Sequence, residues 1–166
     1  MKRLFKASLI TICLTPAFAL AQERCPIEKA VFAEADGGTE LAFRPVGSDA
    51  AAVSHMFSVT GAKLKLDGHV MYDEESQRPA GMIMNNCPEG DATGAELRAC
   101  TVWTGVLYSV NPSDAGIDVL GGEGTPAPDA VLLPGFGPAI RHSQLWDKSG
   151  LKSVPWDLYA FKGCNG

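Results

Sequence analysis

The chain has 166 residues, 46% of them hydrophobic and 20% charged, with 14 Lys and Arg against 19 Asp and Glu for a formal charge of −5. That length suits one ordinary domain built on a single core. An acidic balance repels nucleic acid and anionic lipid headgroups and so argues against both as partners, while it favours solubility and would suit a basic protein partner.

Lys2, Arg3 and Lys6 precede an apolar segment, Ala7 to Leu20, which contains Pro16 and ends in Ala19-Leu20-Ala21. A basic start, a short apolar core and small residues at −3 and −1 are what signal peptidase reads. We therefore expect 1–21 to be a cleaved signal peptide and 22–166 a single β-rich exported domain, periplasmic or secreted. The apolar run falls short of the roughly 20 residues that cross a bilayer, and no second run follows, so no membrane span is expected. Cys13 inside the apolar core and Cys25 after Glu23-Arg24 both lack the small-residue setting of a lipoprotein attachment site. Cleavage removes three basic residues and no acidic ones, leaving eleven against nineteen and a charge of about −8.

Four cysteines remain: Cys25, Cys87, Cys100 and Cys164. An even number in an exported chain points to disulfides, with three connectivities open. Cys87 and Cys100 stand at the two bases of one loop, which favours that pair and leaves Cys25 with Cys164 to tie the chain ends. Zinc would compete for the same four residues, but no Cys-x-x-Cys spacing is present.

In chain order, Ala30–Ala33 and Glu40–Arg44 read as a hairpin joined at Asp36-Gly37-Gly38-Thr39, with Leu41 and Phe43 inward and Arg44 outward. Ser48 to Ser54 is ambiguous, with a short capped helix as one option. Val53, His55, Phe57 and Val59 then share a face. After Gly61 the apolar set moves to even positions, Ala62, Leu64, Leu66, Val70 and Tyr72. A shift of one residue flips every side chain, so a turn or bulge belongs at Thr60-Gly61, and Asp67-Gly68 is a second candidate turn.

The stretch from Val70 to Val110 organises the rest: Gly81–Met84 and Thr101–Val110 look like neighbouring strands stapled at one end by Cys87 and Cys100. A short strand at Ile117–Leu120, an irregular loop from Gly121 to Pro128, an edge strand broken by a turn within Ala130–Ile140, and a closing strand over Trp156–Lys162 complete the chain. Seven to nine short strands with little helical periodicity make an all-β, mainly antiparallel fold. We expect a small disulfide-stapled β-sandwich or barrel with at most one or two short helices.

Chemistry is sparse. His55, His69 and His142 form no His-x-His or His-Glu-x-x-His unit, so neither a metal nor a cofactor is expected. No Gly-x-Ser-x-Gly, phosphate-binding or calcium-loop pattern occurs. Asp73, Glu74 and Glu75 could supply carboxylates for glycoside hydrolysis if two of them converged at the required separation, but a solvated acidic turn is the plainer reading. Trp146 and Trp156, near Arg141, His142 and Lys148, are candidate anchors for a binding surface, to which the acidic turn is added. Thr60-Gly61-Ala62-Lys63-Leu64 bears a slight likeness to the Ser-Gly-x-x-Tyr loop of periplasmic lysozyme inhibitors, which are small disulfide-bonded β-barrels. With the serine and tyrosine both replaced, the likeness does not make the chain a member and serves only to make an inhibitor role concrete. The expectation is a non-catalytic binding or inhibitory module whose partner is a periplasmic protein or small ligand. A small cell-envelope hydrolase using Asp73 and Glu75 and a structural envelope component are the alternatives.

Overall fold

A computed structural model describes residues 24–36, 38–47, 53–88, 90–112 and 116–166. The expected signal peptide, and most of the 48–54 segment, lie outside these. The described residues form ten strands: β1 (Ala30–Ala33), β2 (Thr39–Arg44), β3 (Val53–Gly61), β4 (Leu64–Asp73), β5 (Arg78–Met84), β6 (Thr101–Val106), β7 (Tyr108–Asn111), β8 (Gly116–Val119), β9 (Ala130–Leu132) and β10 (Leu158–Cys164). Three short helices join them, α1 (Gly94–Cys100), α2 (Phe136–His142) and α3 (Gln144–Ser149), with one 3₁₀ turn at Ile27–Lys29. The fold is therefore mainly antiparallel β, with one strand and one helix more than the sequence leads one to expect.

The strands hydrogen-bond in the order β6-β5-β4-β3-β2-β1-β10-β9-β7-β8, every neighbour antiparallel. The two ends of this order meet in the chain itself. β6 pairs with β5 and β7 pairs with β9, yet only Leu107 separates β6 from β7, and its side chain is fully buried. One bent strand thus changes partners and nearly closes the sheet into a barrel, with β8 outside it.

Alternation explains the interior. Leu41 and Phe43 of β2, Phe57 and Val59 of β3, and Leu64, Leu66 and Val70 of β4 all point inward, as their spacing predicts. Phe43 meets Phe32 at 5.8 Å and Phe57 at 5.5 Å between ring centroids. Burying each such ring stabilises the barrel by about 2–3 kcal/mol.

The phase change at Thr60-Gly61 is a tight hairpin turn. Ala62 and Lys63 carry it at φ 47° and 69°, the left-handed pair that suits the twist of antiparallel strands. Asp67-Gly68 is not a turn, because β4 runs straight through it. Gly68 is there for space: a Cβ at that position would lie 2.2 Å from Cζ of Phe57. Tyr72, expected inward, is 55% exposed, since β4 overshoots the barrel there.

β9 is not an edge strand, for it sits between β10 and β7. Phe136 to His142 is a helix rather than a second strand segment, and Pro138 falls in its first turn, where no intrahelical N–H bond is lost. β5 and β6 are neighbours, and Cys87–Cys100 and Cys25–Cys164 are both disulfide-bonded.

The up-and-down course of the strands gives the barrel two unlike ends. One collects the β3–β4 turn, the loop carrying Cys87 and Cys100, and helices α2 and α3; we call it the lid end. The other, the plug end, collects the β4–β5 turn, Cys25–Cys164, and the 121–128 loop, which is bound to the start of the domain through Ile27 N to Thr125 O (2.9 Å) and Ala127 N to Cys25 O (2.9 Å).

Candidate functional site

The lid is assembled from β10 outward. Asp157, just before β10, accepts hydrogen bonds from Gly135 N (2.7 Å) and Gly137 N (2.8 Å), satisfying amides at the start of α2 that have no intrahelical partner. Gly137 must be glycine, because a Cβ there would stand 2.4 Å from the carbonyl oxygen of Pro155. The 152–157 segment can therefore lie directly on α2. Trp103 Nε1 donates to Pro134 O (3.0 Å), and the Trp103 and Phe136 rings meet edge-on at 6.4 Å, fixing α2 to the barrel wall. α3 follows after one residue, capped by the Ser143 hydroxyl and ended by Gly150 at φ 63°.

Between α2, α3 and the 152–157 segment lies an open groove of about 960 Å³. Its lining includes Arg141, His142, Trp146, Lys152, Trp156 and Asp36. Trp156 is 60% exposed, yet it is held at two points: its backbone N–H donates to the buried Glu34 carboxylate (2.9 Å) and its indole N–H donates to Asp36 Oδ2 (3.1 Å). The Arg141 guanidinium lies 4.5 Å over the half-buried Trp146 ring, a cation–π contact. Two tryptophans, two cations and a histidine thus share one surface, with both groove carboxylates already hydrogen-bonded.

The structure brings together Trp146, Trp156, Arg141 and His142 from the residues singled out in the sequence. It adds Lys152, Asp36 and Asp157, which no local pattern marks; only the fold carries Asp36, on the β1–β2 loop, to the far end of the chain. Asp73, Glu74 and Glu75 are not part of this surface. They form the β4–β5 turn at the plug end, where Asp73 accepts from Glu75 N and Ser76 N (both 3.2 Å). The Ser76 side chain and these amides hold its carboxyl below the usual carboxylate range, opposite to the shift a general acid needs.

His55 is a core residue, 2% exposed, with its ring edge-on to Phe43 at 5.9 Å. Its Nδ1 pairs with Ser54 Oγ (3.0 Å), and Nε2 makes no well-formed hydrogen bond among the described residues. Burial pushes its pKa down, opposed in part by the Gly121 backbone and the charges of Glu123 and Glu28. His69, on the outer face of the wall, is shifted down too, by partial burial and by Arg44. Among the described residues no three His, Cys, Asp or Glu side chains converge as a metal site would require, and no helix is long and apolar enough to cross a membrane. No protein-family model, curated protein or solved structure matches this chain, so the reading of the groove rests on its own residues.

Proposed function

We propose that the protein is an exported, non-catalytic binding or inhibitory module whose ligand site is the groove at the lid end. The observation that carries this reading is the convergence of Trp146, Trp156 and the stacked Arg141 on one open surface. Tryptophan and arginine are the residue types that dominate binding energy when a partner desolvates them. A Trp left 60% exposed while both its N–H groups are anchored is a rigid apolar face that loses little side-chain entropy on binding. Export is supported by two paired disulfides, which persist in oxidising compartments, together with the basic, apolar and small-residue pattern of residues 1–21.

The test is affinity capture by the oxidised protein from an envelope extract of the producing cell, run in parallel with two variants. Trp156→Ala should weaken capture by about 2 kcal/mol, roughly thirtyfold in Kd. A triple change at the opposite end, Asp73→Asn with Glu74→Gln and Glu75→Gln, should leave capture unchanged. Turnover in a hydrolase panel that survives repurification and disappears in the triple variant would overturn the proposal in favour of carboxylate catalysis.

A further inference from the structure

We infer that the groove takes an extended acidic segment of a partner polypeptide, an inference that rests on the groove being the ligand site. The first ground is charge. The ion pairs among the described residues join Arg24 to Asp129, Arg44 to Asp67 and Lys162 to Glu40, and none includes Arg141, His142 or Lys152. The two carboxylates of the groove each accept hydrogen bonds from the chain itself, Asp36 from the Trp156 indole and Asp157 from the amides of α2. The charged side chains of the groove that make no ion pair or hydrogen bond among the described residues are thus the cations Arg141 and Lys152, on a chain that is acidic as a whole. The Arg141 guanidinium lies over the Trp146 ring and makes no hydrogen bond or ion pair among the described residues, so its N–H groups are available to take a carboxylate with two parallel hydrogen bonds.

The second ground is the backbone. Lys152, Ser153 and Val154 are exposed along the groove wall, and they make no backbone hydrogen bond within the described chain. Exposed amides and carbonyls with no partner in the chain are groups that an incoming peptide can pair with through its own backbone. A neutral glycan would stack on tryptophan but would leave the charges of Arg141 and Lys152 unmet. An anionic glycan would satisfy the cations but offers no amides and carbonyls of its own to pair with this backbone. A peptide with acidic side chains satisfies both, setting its carboxylates on Arg141 and Lys152 and its apolar side chains against the two indoles.

The experiment pans a random peptide library on the immobilised oxidised protein, then follows the indole N–H resonances of Trp146 and Trp156 during titration with the selected peptides and with galacturonate oligomers. The selected sequences should be rich in Asp and Glu and should shift both indoles. Replacing their acids by amides should weaken binding about tenfold or more. Arg141→Glu, an exposed change that leaves the amide spectrum of the barrel intact, should abolish it. Selected sequences that are basic or neutral, or indole shifts with galacturonate but with no peptide, would overturn the acidic-peptide inference while leaving the groove as the site. If neither ligand moves either indole, the inference and the reading beneath it both fall.

Discussion

A methyl group added to Gly68 would meet the Phe57 ring across the neighbouring strand at 2.2 Å. Gly68→Ala must therefore displace the ring or the backbone, and we predict a loss of about 1–3 kcal/mol in denaturant unfolding with the fold retained. The same residue shows where sequence reading stops. Asp-Gly is a strong local turn signal, and only the ring opposite, fixed by the pairing of Phe57 with Gly68, explains why the glycine stands inside a strand. Inward-facing residues such as Leu41, Phe43 and Val59 were legible because alternation is a local property.

His55 carries a prediction at this scale as well. Its folded pKa lies below the ordinary 6.5, so as the pH falls the unfolded chain takes up the proton first. The stabilisation is complete above about pH 6.5 and is lost as the pH drops from there towards the folded pKa. Unfolding midpoints at pH 7.5 and 5.5 should differ less in His55→Gln than in the parent. The residual slope should shrink again when His69, which shifts in the same direction, is also replaced. The lowered carboxyl of Glu28, which accepts from Gly124 N (2.9 Å), acts in a separate and more acidic window, below its ordinary 4.5.

At the scale of elements, the β3–β4 turn places Ala62 and Lys63 in a region that asparagine and glycine occupy at lower cost. Replacing the pair by Asn-Gly should raise stability by about 1 kcal/mol, read as a higher denaturant midpoint at unchanged slope. Cys87 and Cys100 are 13 residues apart and close the loop that carries α1. Opening that disulfide by Cys→Ala at both positions should cost about 3 kcal/mol, concentrated in faster hydrogen exchange across α1. The hairpins and the stapled β5–β6 pair could be read from the sequence. The helices were harder: α1, α2 and α3 have seven, seven and six residues, too few for a periodicity to declare itself. The capping box of Thr93 and Glu96 was the one local sign of α1. α2 depends on Asp157, a residue far along the chain that no window around Phe136 contains.

The whole molecule sorts its chemistry by end. Trp146, Trp156, Arg141 and His142 lie within a short span of sequence, and that proximity survives folding, so this part of the candidate surface was legible. The acidic turn was not separable from it in one dimension, because which loops share an end depends on how many times the chain crosses the barrel. Gly137 ties these scales together. Its missing side chain lets Pro155 pack on α2, so Gly137→Ala should push the 152–157 segment away, shifting the Trp156 indole resonance while most barrel amides stay in place.

Site-specific photo-crosslinking in the producing cell, with a benzophenone side chain placed at Lys152 in one strain and at Glu74 in another, asks which end of the barrel meets a partner. Both positions are exposed, and they sit at opposite ends of the barrel. A groove at the lid end gives a discrete covalent adduct from position 152 that is lost with Arg141→Glu, and none from position 74. An adduct from position 74 alone would contradict binding at the lid end and move the binding surface to the acidic turn.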